Sequence, residues 1–548
     1  MAVKKRRKQR RHPQERGRFA LPFDRILVYA VAFFVFAIPL FIWPGITEYG
    51  YGKSIVALIA LSVLFVLWGI VGWRGGAWRI RLPWIVFPVL LFVIASLFSL
   101  LHAMNGRVVV QSLVLVVYFF AFAVLVANVV REPRDVTLLL FAMLGAGFFA
   151  ALYGLLQYLG VLPGATGGSG LSEVISTVGN RNYLGGFLSY LLFPSVVLIV
   201  RPRSRVLRGL AILLIAFCFG LCLLVDQQGI LVGLFVAAVA WLIGWLIFRP
   251  VEPIRRNRVW LLALLGVLFF TGLVQAPSGP LNSVVGLSAD GGSWIGRLWQ
   301  QSSGSVRAWD WWVGWEMFED HPITGVGLGN YKLNFVPYKA RFLATPRGES
   351  YNFYIARAAQ AHNEYVQVAA ETGSLGLLAI AGLLGTLVVS LWRRLRRNAD
   401  EADRFDLLLY AAGLVSLFVH ALVSFPAHLP SSSLAGVVVL GIAFSRAYGN
   451  AASVEVVLRR RALRAALVAI AAGGLFVSIV AARDLAANVL MGEGTKQLQL
   501  GRVHQAEALF TRSIAFDFCP RHTYYYLATA QLRLGRYEEA FENLERCL

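Results

Sequence analysis

Long apolar runs recur through almost the whole chain, and the short segments between them alternate in charge. That alternation limits the possible folds more than any motif does. A bilayer core takes about 20 mainly apolar residues per helix. On that measure about thirteen spans can be placed, at 24–44, 53–73, 83–101, 107–130, 135–159, 182–200, 208–225, 229–248, 259–275, 365–392, 406–425, 431–447 and 462–482. Segments after even-numbered spans read "WRGGAWRIR", "REPR", "RPRSRVLR", "RPVEPIRRNR", "RRLRRNADEADR" and a stretch ending "LRRR". Those after odd-numbered spans include "ITEYGYGK", "HAMNG", "DQQ" and "PAHLP". Arginine thus concentrates on one side, the side of the basic N-terminus "MAVKKRRKQRRHPQERGR", and the positive-inside rule makes that side cytoplasmic. No small-residue cleavage site follows the basic stretch, so residues 1–23 are expected as a cytoplasmic tail and not a removable signal.

The expected class is an all-α polytopic membrane protein. A content of 58% hydrophobic and 15% charged residues excludes an ordinary soluble globule. The net charge of +22 is dispersed in short clusters between apolar runs, a pattern of orientation and not a phosphate-binding stripe, so no nucleic-acid partner is expected. Four cysteines without a CxxC give no metal or redox framework, and neither metal nor cofactor is expected. Cys218 and Cys222 fall inside an apolar run and read as inert small hydrophobes.

Two substantial segments then face outward, 276–363 and everything after about 483. In the second, "LQLGRVHQAEALF" returns as "LRLGRYEEAFENL", with Gly501 and Gly535, Ala506 and Ala540, and Gly494 and Ala528 each 34 residues apart. A 34-residue period with small residues at these offsets resembles the tetratricopeptide repeat, two antiparallel helices per unit. Such a stack is normally stable from about three repeats, so this shorter one is expected to pack on the membrane domain or a partner protein. The organisation expected is therefore a tail at 1–23, a membrane domain at 24–482 and external repeats at 483–548.

The loop 276–363 is far longer than a connector requires, which is usual for functional loops. "SVRAWDWWVGWEMFEDHP" is aromatic enough for an amphipathic helix in the membrane interface, and an interfacial aromatic belt is the plainer reading of its tryptophans. "GVGLGN" lacks a preceding strand and reads as a tight turn, not a nucleotide loop. The loop's basic residues are Arg297, Arg307, Lys332, Lys339, Arg341, Arg347 and Arg357. A cationic, aromatic-lined cavity at the outer leaflet suits an anionic amphiphile with a phosphate head, while pairing with Glu316, Glu319 and Asp320 is the plainer use of any one arginine. In "AHNEYVQVAAETG", His362 sits at the mouth of the tenth span. It can cap a helix, or it can take a hydroxyl proton with Asn363 or Glu364 orienting it. Arginine nearby would stabilise a departing diphosphate.

"SVRAWDWWVGWEMFEDHPITGVGLGNY" followed by "AHNEYVQVAAETGSLGLL" resembles the signature region of the O-antigen ligase and polymerase family, and "GNRNYLGGFL" resembles its Gly-Asn-x-Asn segment. The resemblance implies a GT-C-like, all-helical glycosyltransferase of the bacterial cytoplasmic membrane, working at its periplasmic face. The implied donor is an undecaprenyl-diphosphate-linked glycan, and the implied transfer is metal-independent and inverting. It further implies Arg307 as the arginine near the diphosphate and His362 as the family's signature histidine. One departure stands out: in "VDQQGILVGL", Gln228 occupies the place of a second arginine. Arg181, Arg347 or Arg357 are the candidates to compensate, Arg181 foremost. The acceptor stays open between glycan, lipid and protein, so ligase, polymerase and protein O-oligosaccharyltransferase are not separated. From other classes, a transporter would need ionisable residues along a pore, where only Glu371 lies deep in a span, and a non-catalytic scaffold gains support from Gln228.

Overall fold

Where water is absent, a run of Leu, Val, Ala and Phe can satisfy its backbone only by hydrogen-bonding within itself, so each apolar run becomes a helix. The computed structural model describes residues 23–547 apart from 44–45, 47–48, 76, 165–169, 226, 276–302, 352–357, 398 and 446–452. The basic tail and Arg357 lie outside the described residues. The first helices are α1 (Phe23–Leu40), α2 (Tyr49–Arg74), α3 (Val86–Phe98), α4 (Gly106–Val129), α5 (Pro133–Tyr158) and α6 (Arg181–Val200). Then come α7 (Arg205–Leu224), α8 (Gln228–Phe248), α9 (Val251–Val274), α10 (Ser303–Asp320), α11 (Tyr331–Leu343) and α12 (Glu364–Arg397). The last are α13 (Glu401–His420), α14 (Pro430–Ala443), α15 (Arg460–Gln499), α16 (Val503–Phe516), α17 (Arg521–Arg533) and α18 (Tyr537–Cys547).

Among the described residues, nine of these helices are long and apolar enough to cross a membrane: α2, α4 to α9, α12 and α15. Shorter apolar helices at Arg25–Leu40, Val86–His102 and Pro430–Ala443 match three further expected spans. The remaining one falls on α13, whose first turns carry Glu401, Asp403, Arg404 and Asp406. Helix starts are marked by side-chain caps: Asn105 accepts from Arg107 N and Val108 N, and Asp400 accepts from Asp403 N. One large core joins α1, α4 to α7, α13 and α14 through residues such as Phe122, Leu139, Phe187, Tyr190, Leu409 and Val438.

Contacts between loops sort into two ends of the bundle, as the span count demands. At one end Arg25 pairs with Asp135, Arg201 Nε meets Asp406 at 2.7 Å, and Glu252 N donates to Glu401 at 2.7 Å. At this end, too, the alternation in "AWRIRLP" and "SVEVVLR" forms strands that the loop reading passed over. Strands β1 (Ala77–Pro83) and β2 (Ser453–Arg459) pair antiparallel, with Ile80 opposite Val456, between α2 and α3 and just before α15. At the other end His102 Nδ1 meets Thr324 Oγ1 at 2.9 Å, Asn105 N donates to Asn330 at 2.8 Å, and Glu364 N donates to Ala421 O at 2.9 Å.

The aromatic segment corrects one expectation. Trp309, Val313 and Met317, at successive i, i+4 positions of α10, are buried in a second core with Tyr331, Phe335 and Phe342 of α11. Only the outer face, with Trp315, remains exposed. A folded subdomain, not a flat interfacial helix, results.

"GVGLGN" is a turn, and a break in α12 holds it. Gly373, at φ 65°, interrupts that helix. The carbonyls of Ala370 and Glu371 then accept from Val326 N and Gly327 N, while Ser374 N donates to Pro322 O. A Cβ on Gly373 would lie 2.3 Å from the Ile323 carbonyl carbon, and one on Gly325 would lie 2.2 Å from that of Glu371. Only glycine fits either position. The apolar helix expected over 365–392 is thus present, with a break at Gly373.

Helix α15 runs unbroken from its apolar half into the C-terminal segment, where it pairs with α16. The turns after α15 and α17 repeat each other: Gly501 and Gly535 both have φ 76°, and Arg502 N to Gln497 O is echoed 34 residues on by Arg536 N to Gln531 O. Ala506, Ala528 and Ala540 are fully buried.

Candidate active site

His362 stands two positions before the start of α12, with Asn363 between it and the helix. The Asn363 side chain accepts from Tyr365 N at 3.0 Å and Val366 N at 3.2 Å, so it caps the helix and fixes where the imidazole stands. His362 itself takes φ 52°, a left-handed conformation rare for a residue with a side chain. Its Nδ1 meets Asp310 Oδ2 at 3.1 Å, and the ring edges onto Phe425. Asp310 is buried, while the His362 side chain keeps 40% of its exposure. The ring thus has one nitrogen tied to a buried carboxylate and the other available to a ligand.

Arg307 lies one helical turn before Asp310 on α10 and within electrostatic range of it. Burial raises the Asp310 carboxyl above the usual range, and His362 and Arg307 pull it back. Burial likewise lowers the Arg307 guanidinium, against the pull of Asp310. Sequence reasoning brought Arg307 and His362 together but missed the aspartate between them. Its signal was an acid three residues after Arg307, set between Trp309 and Trp311.

Glu364 is engaged with the loop between α13 and α14. It accepts from Ala427 N at 2.6 Å and forms an ion pair with His428 Nδ1 at 3.1 Å. Enclosure pushes the His428 imidazole down, but Glu364, by charge and hydrogen bond, and Glu371 raise it to about 9, so it carries positive charge at neutral pH. Glu371, fully buried, accepts from Gly329 N at 2.7 Å, Tyr331 N at 3.2 Å and Gln367 Nε2 at 3.1 Å. It organises the glycine turn.

His362, Lys332, Gln367, Glu371 and His428 all line one cavity of about 830 Å³. Lys53 lies in its wall with its ammonium donating to the carbonyls of Ile38, Pro39 and Phe41, capping the end of α1. The other expected arginines are elsewhere. Arg347 stacks on Trp312 at 4.2 Å, and Arg341 pairs with Asp320 at 2.6 Å. Arg181 opens α6 behind its cap Asn180, and Gln228 opens α8; neither is among the described residues that line the cavity, although Gly179 and Tyr183 are.

Chemically, the arrangement offers a proton acceptor with an orienting carboxylate, a guanidinium beside it, and further positive charge facing the same space. Among known proteins, residues 213–381 match the family model described as O-antigen ligase. No curated protein matches the chain.

Proposed function

We propose, from the match of residues 213–381 to the O-antigen ligase family, that the chain transfers a glycan from an undecaprenyl-diphosphate carrier to an acceptor hydroxyl. The observation that carries the reading is the contact of Asp310 with His362, which lines the cavity, with Arg307 within electrostatic range of Asp310. In the reaction, the acceptor oxygen attacks the anomeric carbon, and its proton passes to His362 Nε2. The bond to the diphosphate oxygen breaks, and the electron pair leaves with the diphosphate. Asp310 holds the ring in the productive tautomer and stabilises the imidazolium that forms. Arg307 stabilises the charge developing on the leaving group. Where relatives resembling this chain carry a second arginine, we assign its part to Lys332 and His428, which line the cavity with His362. Positive charge on side chains supplies what the leaving group needs, so the reading calls for no metal.

The site belongs on the periplasmic face of the cytoplasmic membrane in this reading, because the opposite end of the bundle carries the arginine-rich loops. The C-terminal helices, read as tetratricopeptide-like, share that face. A transport reading would need Glu371 free to serve a pore, but its carboxylate is occupied by the glycine turn.

The test is purified protein given an undecaprenyl-diphosphate-linked glycan, with products followed as extended lipid-linked glycan, glycosylated lipid or glycosylated protein. His362→Ala and Arg307→Ala should each lower turnover by about a hundredfold or more, the scale of general-base and oxyanion-type contributions. Wild-type rates in both variants would remove the assignment.

A further inference from the structure

The cavity that His362 enters is not made by the membrane domain alone. Its far wall comes from α15 and the turn between α16 and α17: Asp484, Asn488, Asp517, Phe518 and His522 line it. These helices are anchored in place. Asp484 accepts from Phe518 N at 2.8 Å, Ser513 donates to Ala487 O at 2.7 Å, and Arg107 of α4 reaches Phe518 O at 3.4 Å.

The two walls differ in charge. On the side of His362 stand Lys332 and the cationic His428, with Glu371 held by the glycine turn. Opposite stand the carboxylates of Asp484 and Asp517, with Arg521, an amide, an imidazole and aromatic rings. Tyr51, at the start of α2, lies between the elements. It lines the same cavity as Asp484 and Asp517. The balance of charge is more positive on the first wall than on the second, so a diphosphate is better placed on the first. Carboxylates that accept hydroxyl protons, set beside rings that cover C–H faces, are instead suited to a polyhydroxylated chain.

We propose that the C-terminal helices build the acceptor subsite, with Asp484, Asp517, Asn488 and His522 binding the hydroxyls of a glycan acceptor and Tyr51 and Phe518 packing on its rings. The inference rests on the transfer reading above and deepens it. The acceptor is a sugar chain, not a lipid or a protein side chain, and the C-terminal segment is part of the binding machinery. Lying across one continuous cavity from His362, the subsite presents a terminal sugar hydroxyl toward the imidazole.

The experiment uses the full chain in lipid nanodiscs. Lipid-linked glycan extracted from membranes of the source cells serves as donor, and the same glycan released by mild acid serves as the acceptor probe. Equilibrium binding of released glycan and the KM for donor are measured for wild type, Asp484→Asn, Asp517→Asn and His522→Ala. Asparagine keeps an oxygen for the Phe518 and Cys519 amides, and His522 is exposed, so folding is spared. Each carboxylate change should weaken glycan binding by about tenfold, as expected for a lost charged hydrogen bond, with donor KM changed by less than about twofold. Wild-type affinity in all three variants, or no binding of released glycan by the wild type, overturns the proposal. If wild type binds the glycan and the variants lose it, but no transfer from donor occurs, the subsite stands and the transfer reading falls.

Discussion

An imidazole with one nitrogen held by a buried carboxylate has a single tautomer to offer, and its second nitrogen faces the ligand as a base. In the proposed reaction Asp310 does this for His362, at a backbone φ that capping by Asn363 and packing against Phe425 sustain. Asp310→Asn keeps the shape and loses the charge. Turnover should fall by about a hundredfold while donor binding holds, which a kcat and KM comparison separates. His428 gives a second prediction. Its pKa is raised to about 9 in the folded protein against 6.5 in the unfolded chain. The folded state therefore binds the proton more tightly, and the stability that follows is complete below about pH 6.5 and is lost as pH rises through about 9. Thermal unfolding in detergent should show that decline, and Glu364→Gln should flatten it. His362 and Glu364 stood out in the sequence, but Asp310 did not. Asp310 and His362 are 52 positions apart, and an acid set between two tryptophans carries no local sign of what it faces.

Among elements, the apolar helices were legible because their signal is summed over some twenty residues, and their ends because Arg-rich turns and caps recur there. Breaks and pairings were not. The interruption of α12 at Gly373 turns on a close approach to Ile323, which hydropathy averages out, and the alternation in "AWRIRLP" and "SVEVVLR" is too short to outweigh its reading as basic loop. Gly373→Ala combines a left-handed φ with a Cβ against a backbone carbonyl, and Gly325→Ala meets Glu371 in the same way. Each should lower stability by about 2 kcal/mol or more and loosen the turn that Glu371 holds. A melting temperature equal to wild type in either variant would show that the backbone can move aside.

For the whole molecule, the pairing of β1 with β2 ties the loop after the second span to the segment before the last. The two lie at one end of the bundle only if an even number of crossings between them is threaded as described. An Ile80→Cys, Val456→Cys protein should close an intramolecular disulfide under mild oxidant, since opposed residues in an antiparallel pair stand about 5 Å apart at Cα. Failure to cross-link, with both thiols reactive, would refute the register. The fold class was legible because helices must span a bilayer. The cavity was not, because its walls come from elements hundreds of residues apart, such as Tyr51, His362 and Asp517.

Forty residues of uninterrupted helix make α15 a shaft about 60 Å long, gripped along its lower part by α2. A shaft transmits angle as faithfully as position. One residue inserted near its midpoint would swing everything above by about 100°, carrying Asp484 and the turn at 517–522 away from the imidazole, whereas seven would restore the heading to within about 20° at a greater height. Length changes at this point of the chain are therefore tolerable in whole double turns and costly otherwise, a rule that bears on any graft of these helices to another membrane anchor.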